Sequence, residues 1–241
     1  MKHILFALAV AVVPTAVPYA AGADAARMLA EADAFRGDWP SMVIQTRIDN
    51  YKADTLAESA DFEVFIKGDN SLVRFLSPKT KGQSLLMRGD DMWFYLPAVA
   101  RPVRITPIQR LLGNTANGDL ARLQYASDYA PRLDGEEVVN GTPCVILELD
   151  ATRKAATYQR VRYAVRKSDS MPVRAEFFVG SGRQLKTAFF EDPQVFAGRT
   201  VISRIVILDH VNPKLKTIMS FTSFAPKAID DKVFNPSRGE L

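Results

Sequence analysis

The 241-residue sequence has few of the residues that most enzyme sites and metal sites require. It contains one cysteine, Cys144, and two histidines, His3 and His210. A single cysteine cannot form an internal disulfide, and so few histidines cannot supply a Ser–His–Asp triad, a Cys–His pair or an ordinary zinc site. The glycine-rich phosphate-binding motifs and the G-x-S-x-G motif of hydrolases are also absent. We therefore expect a protein with no enzymatic activity, no metal and no cofactor.

Long apolar runs of transmembrane length are absent as well. The N-terminal stretch ILFALAVAVV (4–13) is too short for a stable membrane span, which needs roughly 18 to 20 apolar residues. Lys2 precedes this stretch, and the small residues AGA (21–23) follow it. A positive start, a short apolar segment and small residues are the pattern of a cleavable signal peptide. A retained membrane anchor is the alternative.

We expect residues 1–23 to be the signal peptide and residues 24–241 to form a single exported domain. Cleavage after Ala23 or after Ala20 fits the sequence, and no cysteine lies nearby for lipid attachment. The chain has 31 basic and 27 acidic residues, a net charge of +4, and the two signs are interspersed. Because nucleic-acid binding requires a concentrated basic surface, this distribution argues against it.

Most of the chain beyond residue 40 consists of short strand patterns separated by Gly, Asp, Asn or Pro turns. A helix is predicted over residues 23–37, with Asp24 as its N-cap and Gly37 at its C-terminal end. Two short helical pieces around a Gly/Asn break are predicted within residues 107–124. The predicted strands are residues 41–51, 61–69, 71–78, 83–89, 91–97, 136–141, 143–151, 158–167, 172–180, 184–192, 199–210 and 214–224.

Links of hairpin length make neighbouring strands antiparallel. The expected fold is mainly β (α+β), a single curled antiparallel sheet of about 11–12 strands. Such a sheet forms either a barrel or an unclosed half-barrel, with the helical pieces lying across its opening.

The strand at 91–97 is apolar on both faces, whereas a half-buried strand alternates apolar and polar residues. Something must therefore cover each face of this part of the sheet. A curled sheet encloses more volume than the short predicted helices can fill, and unfilled apolar volume becomes a ligand cavity. A solidly packed interior is the alternative, and the sequence leaves both open.

The segment after this strand carries Pro97, Pro102 and Pro107. Because proline lacks a backbone N–H, this segment cannot pair as an interior strand and must lie at an edge or rim. Arg101 and Arg104 alternate with apolar residues in it, which suits a lid over an apolar mouth or a plug at one end of the sheet.

A hollow interior would be lined by apolar side chains of one sheet face and of the following segment. The candidate lipid-binding residues are Phe62, Val64, Ile66, Met92, Phe94, Leu96, Ile108 and Leu112, and the candidate rim residues are Arg101, Arg104, Pro102 and Pro107. The opposite face, with Phe65, Phe75, Trp93 and Tyr95, is the alternative lining.

Several long motifs carry a resemblance to a known family. They are FRGDWPSMVIQTRIDNY (35–51), SLVRFLSPKTKGQSLLMRGDDMWFYLP (71–97), RPVRITPIQRLLGNTANGDLARL (101–123), VRAEFFVGSGRQLKTAFFED (173–192) and the closing FNP (234–236). In these motifs the chain resembles the outer-membrane lipoprotein-sorting proteins, the LolA-like periplasmic carriers.

The resemblance implies an unclosed antiparallel half-barrel, covered by helices and lined with hydrophobic residues. It also implies a soluble periplasmic carrier that binds acyl chains of lipoproteins, receives them from an inner-membrane ABC transporter and delivers them to an outer-membrane receptor. The insertion PVRITPIQRLLGN (102–114) sets this chain apart from the main carrier. Similar proteins are often associated with RND-type exporters, which implies that the cargo could be another lipid. An accessory protein that docks on an RND-type exporter or envelope complex is the alternative function.

Overall fold

The computed structural model describes residues 18–235, except residues 100 and 155. Residues 1–17 of the predicted signal peptide lie outside the described part of the chain. Residues 18–34 form the first helix, which begins before the predicted start at residue 23. In chain order the helices are α1 (Pro18–Ala34) and α2 (Asn117–Ala121), the 3-10 turns are Pro78–Thr80 and Asp231–Phe234, and the strands are β1 (Ser41–Lys52), β2 (Thr55–Lys67), β3 (Asn70–Phe75), β4 (Ser84–Arg88), β5 (Asp91–Tyr95), β6 (Val103–Ile105), β7 (Arg110–Leu112), β8 (Thr115–Ala116), β9 (Tyr129–Val139), β10 (Thr142–Ala151), β11 (Arg160–Arg166), β12 (Pro172–Phe178), β13 (Gln184–Phe196), β14 (Arg199–Asp209) and β15 (Leu215–Pro226).

Thirteen of these strands form one antiparallel sheet in the order β6-β5-β4-β3-β2-β1-β15-β14-β13-β12-β11-β10-β9, and the sheet is not closed into a barrel. Two meanders, β1 to β6 and β9 to β15, meet where β1 pairs with β15. Each meander follows from short links, because consecutive strands joined by hairpins pair antiparallel. The predicted single antiparallel half-barrel is confirmed.

The sheet has one strand more than the upper predicted number. The additional strand, β6, is three residues long and lies at the edge of the sheet beside β5. It follows Pro102, and it can occupy an edge because an edge strand needs hydrogen bonds on only one side. The predicted edge position of the proline-containing segment is confirmed.

The prediction of a helical piece at the start of residues 107–124 is wrong. Residues 110–116 form a small antiparallel hairpin, β7–β8, and helix follows only at α2. The apolar residues Ile108, Leu111 and Leu112 have helical spacing, but Gly113 adopts a φ of +54° and turns the chain back on itself. The second helical piece is present.

The two faces of the sheet are covered by different parts of the chain. On the concave face, α1 and α2 pack over an extensive core that includes Leu29, Leu120 and Val64. On the convex face of β3 to β5, the 3-10 turn Asp231–Phe234 covers a second core that includes Leu72 and Leu86. Both faces of strand β5 are therefore covered, which accounts for the apolar side chains on each face.

The strand register corrects one assignment of residues to faces. Phe75 lies directly opposite Phe62 in the β2–β3 pair, and directly opposite residues share a face. The two rings contact each other with centroids 4.9 Å apart. Phe75 therefore belongs to the concave face, whereas Phe65, Trp93 and Tyr95 pack in the convex core.

Replacing Gly113 with alanine tests how closely the β7–β8 hairpin rests on the sheet. A Cβ atom at Gly113 would lie 2.6 Å from Oδ1 of Asn50 and 2.6 Å from Oγ1 of Thr217, in addition to the strain of a positive φ. We expect Gly113→Ala to lower the free energy of unfolding by about 2–3 kcal/mol. Gly141→Ala is the control, because Gly141 also has a positive φ but its Cβ would meet no atom within 4 Å. Equal losses in urea denaturation would contradict the close packing of the hairpin.

Candidate functional site: an open cleft on the concave face

Part of the concave face is packed solid. Beneath α1, the rings of Tyr125, Tyr129, Tyr163 and Phe190 meet edge to face, with centroids 5.4 to 5.7 Å apart. The gap that remains beside Arg36 in this region has a volume of about 20 Å³. A space of that size holds at most one water-sized molecule, so this gap cannot hold an acyl chain.

A buried carboxylate attaches α1 to this packed region. Both carboxylate oxygens of Asp33 accept hydrogen bonds from the backbone N–H of Tyr125, at 2.9 and 2.8 Å, and one also accepts from Ala126 at 2.7 Å. Burial raises the pKa of Asp33 to about 6, although the positive charge of Arg36 and the two backbone donors oppose the shift. The end of α1 is therefore held by polar contacts inside an apolar core.

The side chain of Arg36 is also buried. Its guanidinium carbon lies 3.9 Å from the ring centroid of Tyr125, in cation–π geometry. Among the described residues, its Nε and Nη1 atoms have no hydrogen-bond partner. The aromatic ring thus contributes to holding a charge that direct hydrogen bonds only partly satisfy.

The other half of the concave face is open. A cleft of about 950 Å³ lies between β2, β5, β6, the loop 76–83 and the β7–β8 hairpin. Its floor contains three aromatic rings in edge-to-face contact, and the ring centroid of Phe75 lies 4.9 Å from that of Phe62 and 5.7 Å from that of Phe94. The lining residues are Arg47, Leu56, Ala57, Glu58, Ser59, Ala60, Asp61, Phe62, Phe75, Ser77, Pro78, Lys79, Thr80, Gln83, Phe94, Ile105, Gln109, Arg110, Leu111, Leu112 and Asn117.

The cleft combines an apolar floor with polar walls. Ile105, Leu111 and Leu112 extend the aromatic floor, while Arg47 and Asp61 form an exposed ion pair of 3.3 Å at one wall. An apolar base with charged groups near the opening suits an amphiphilic ligand better than a wholly apolar one.

One wall of the cleft, the β7–β8 hairpin with α2, is fixed by a buried polar cluster. The ammonium group of Lys186 forms an ion pair with Asp119 and donates to the carbonyl of Asn114 at 2.9 Å. Tyr158 donates its hydroxyl proton to Oδ1 of Asp119 at 2.8 Å. The backbone N–H of Asn114 also donates to Oγ1 of Thr217 at 2.9 Å. The hairpin is thus attached to β13 and β15 of the sheet.

The structure brings three of the predicted lining residues together. Phe62, Phe94 and Leu112 line the cleft, although Phe62 and Leu112 are 50 positions apart. Val64 and Met92 lie on the same concave face but are fully buried in the core, and line no part of the cleft.

The other predicted lining residues lie elsewhere. Ile66 borders a separate gap of about 30 Å³ beside α2. Leu96 is half-buried just beyond β5. Ile108 is 43% exposed and borders a different surface depression, together with Val211. The functional role of all eight residues stays a prediction.

The predicted lining set omitted Ile105, Leu111 and Leu56, and Phe75 was assigned to the alternative lining on the opposite face. The position of Phe75 could have been deduced from the short β2–β3 turn, which sets it opposite Phe62. Leu111 and Ile105 lie in the segment after Pro97, whose edge position the prolines predicted but whose hairpin beside the cleft no local pattern predicted.

The predicted rim residues do not form one group. Arg104 forms an ion pair with Asp91 and lies opposite Trp93, so it is on the convex face, away from the cleft. Pro107 is buried, and its carbonyl accepts a hydrogen bond from Gly118 at 2.9 Å. Arg101 is exposed and Pro102 is half-buried just before β6. Their function as a rim stays a prediction.

Within residues 18–235, apart from 100 and 155, no group of three or more His, Cys, Asp or Glu side chains could hold a metal ion. Across the same residues, no helix is both long and apolar enough to cross a bilayer. Cys144 is buried in a small apolar cluster with Val139, Ile146 and Ala164, and burial raises the pKa of its thiol. A thiol in that state is a poor nucleophile.

An unclosed antiparallel sheet, with helices and an apolar cleft on its concave face, is the carrier-like fold of lipoprotein-sorting proteins. The chain belongs to the LolA superfamily. It is 31% identical to a LolA superfamily protein from Nitrosomonas europaea, with a TM-score of 0.83 over 88% of this chain and 97% of that one. A family model described as "Uncharacterized protein" matches residues 67–238.

Two further solved structures share the fold. A DUF1329 family protein from Desulfovibrio piger is 22% identical, with a TM-score of 0.75 over 90% of this chain and 97% of that one. A putative outer membrane lipoprotein-sorting protein domain from Vibrio parahaemolyticus is 19% identical, with a TM-score of 0.74 over 89% and 97% of the two chains. No functionally curated protein matches the chain.

The burial of Asp33 predicts a specific pH dependence of stability. The pKa of Asp33 is about 6 in the folded protein, against an ordinary value of 3.8. The folded state therefore binds this proton more tightly, so the contribution of Asp33 to stability is full below pH 3.8 and is lost as the pH rises through 6. We expect wild type to lose about 2 kcal/mol relative to Asp33→Asn between pH 4 and pH 7, measured by urea unfolding. A difference between the two proteins that does not change with pH would contradict a raised pKa.

The Lys186–Asp119 pair predicts a large loss from removal of one partner. We expect Lys186→Met to lower the free energy of unfolding by about 3–5 kcal/mol, because the carboxylate of Asp119 is left buried and uncompensated. Hydrogen exchange of the Asn114 amide should also accelerate, because the hairpin loses its attachment. The double variant Lys186→Met/Asp119→Asn should recover part of the loss. A double variant less stable than Lys186→Met would contradict this account.

Proposed function

We propose that this protein is a soluble periplasmic carrier that binds acyl chains of lipoproteins or other lipids in the cleft and shuttles them between the inner and outer membranes. The observation that carries the proposal is the 950 Å³ cleft with its floor of Phe62, Phe75 and Phe94. Ligand sites typically occupy about 300–1,000 Å³, so this cleft has room for a lipid chain.

Burial of an acyl chain supplies the free energy that a carrier needs. Each buried methylene contributes about 0.8 kcal/mol, so about a dozen methylenes would contribute on the order of 10 kcal/mol before ordering costs. Lipid can therefore be bound and released without covalent chemistry. In this role the protein acts without enzymatic activity, metal or cofactor.

The polar walls suggest how an amphiphile is oriented. The acyl chain lies on the aromatic floor, and its polar head stays at the mouth near the charged side chains of Arg47, Glu58 and Arg110. This arrangement leaves the head group in water, so its desolvation costs little.

Membership of the LolA superfamily and the signal-peptide pattern of residues 1–23 support a periplasmic location. The proposed partners are an inner-membrane transporter of the ABC or RND type, which supplies the lipid, and an outer-membrane receptor, which accepts it. A carrier of this kind contacts the membrane only peripherally, and nucleic acid is not a partner.

The first experiment is to purify the protein from the periplasm without detergent, extract it with organic solvent and identify bound lipid by mass spectrometry. A fluorescent fatty acid then measures binding to the delipidated protein. We expect Leu112→Gln to weaken binding of the probe about tenfold, because the change places a polar amide in the apolar lining. Leu133→Gln is the matched control, because Leu133 is exposed on edge strand β9 and does not line the cleft.

Protein that carries no lipid and binds no fatty-acid probe would overturn the proposal. If such protein copurified tightly with an exporter instead, the accessory docking function would replace it.

A further inference from the structure

Exposed aliphatic side chains are concentrated around the cleft. Ten large hydrophobic residues are exposed in the described part of the chain, and half of them belong to the segments that bound the cleft. These five are Leu56 (51% exposed), Leu76 (47%), Val99 (47%), Val103 (47%) and Ile108 (43%).

These residues belong to the segments around one opening. Leu56 lines the cleft, and Leu76 begins the loop that forms one of its walls. That loop touches the segment of Val99, because a Cβ atom at Gly82 would lie 2.9 Å from Cγ of Pro97. Val103 lies opposite Phe94 of the floor. Ile108 lies two residues before the β7–β8 hairpin, which forms another wall, and its side chain borders the neighbouring depression with Val211.

Unpaired cations lie on the same segments. Lys79, Lys81, Arg101 and Arg110 are exposed, and no carboxylate of a described residue forms an ion pair with any of them. Glu58 is the unpaired carboxylate on the cleft lining, so these five charges sum to +3. We call the five exposed aliphatic residues and these four cations the mouth surface.

The opposite ends of the same strands differ. There, β2–β3 and β4–β5 are joined by tight turns. The side chains of Asp69 and Asp90 in these turns form ion pairs with Arg153, at 2.8 and 2.6 Å. The excess of positive charge and the exposed aliphatic residues therefore characterise the cleft end of this meander and not its other end.

We propose that the mouth surface docks the cleft onto an anionic lipid bilayer. Aliphatic side chains enter the boundary between head groups and acyl chains, while Lys and Arg attract anionic head groups. Neither aliphatic insertion alone nor positive charge alone gives firm attachment, and the mouth surface provides both. Docking in this orientation places the opening of the cleft against the bilayer.

The composition of the mouth surface favours a bilayer over a protein partner. The cores of protein interfaces are enriched in Tyr, Trp and Phe and depleted of charge. The exposed hydrophobic residues here are Leu, Val and Ile, and lysine and arginine are interspersed among them. Moderate aliphatic insertion beside unpaired cations matches the chemistry of an anionic membrane surface.

Cosedimentation with vesicles tests the proposal. We expect the full mature chain to bind phosphatidylcholine vesicles containing about 30% phosphatidylglycerol, to bind pure phosphatidylcholine weakly, and to dissociate in about 1 M salt. Lys81→Gln/Arg101→Gln should weaken binding to the anionic vesicles about 20-fold. Leu76→Ser/Val99→Ser should weaken it about tenfold, through loss of aliphatic insertion.

Two matched pairs serve as controls. Arg88→Gln/Lys227→Gln removes the same charge from exposed positions at the other ends of the strands, and Val138→Ser/Val195→Ser removes two exposed valines far from the cleft. Both should bind vesicles like wild type. Equal losses in the test and control pairs would overturn the proposal, because binding would then follow net charge or total hydrophobicity.

Absence of binding to protein-free anionic vesicles would also overturn the proposal. Binding confined to vesicles that contain membrane proteins would assign the mouth surface to a protein partner.

Docking goes beyond the proposed function, since a carrier could take lipid from a protein alone. The fatty-acid probe separates the two, because Lys81, Arg101, Leu76 and Val99 do not line the cleft and their variants should bind the probe normally. Vesicle binding can therefore fail while acyl binding persists.

Discussion

The interaction on which the concave side depends is the attachment of α1 by Asp33. A curled sheet with an apolar inner face must be covered, and one helix can cover only part of it. The carboxylate of Asp33 accepts the backbone N–H groups of Tyr125 and Ala126, which fixes both the helix and the start of β9. Burial of this carboxylate costs free energy, as its raised pKa shows. This cost is offset because the same contact positions the tyrosine rings that pack beneath α1.

The concave interior has one packed region and one open region, because different side chains occupy the two. Beneath α1, tyrosine and phenylalanine rings fill the space and leave a gap of about 20 Å³. Beneath the β7–β8 hairpin, the rings of Phe62, Phe75 and Phe94 meet edge to face and leave a cleft of about 950 Å³ open. The Lys186–Asp119 pair holds the hairpin in place without filling that space. The open cleft thus results from where the cover is attached as much as from the sheet.

The candidate site could be predicted from sequence in part. Alternation along β2 and β5 grouped Phe62 with Val64 and Phe94 with Met92, because side-chain direction in a strand follows from position alone, but it left open which face is the inner one. Alternation could not separate Phe62, in the cleft, from Val64, which is buried two residues later. That difference depends on which part of the inner face α1 and α2 cover. Leu111 and Ile105 depend on the path of the proline-containing segment, which is set by contacts with distant strands.

Sequence by itself predicted twelve of the thirteen strands of the main sheet, the antiparallel pairing of neighbours joined by hairpins and the edge position of the segment around Pro102. Each of these follows from local chemistry: a two-residue alternation, turn residues between strands, and a missing backbone donor. Only the tertiary structure decided that residues 110–116 form a hairpin and that half of the interior is open. Both features depend on contacts between residues that are far apart in the sequence. Gly113 packs on Asn50 and Thr217, and Asp119 pairs with Lys186.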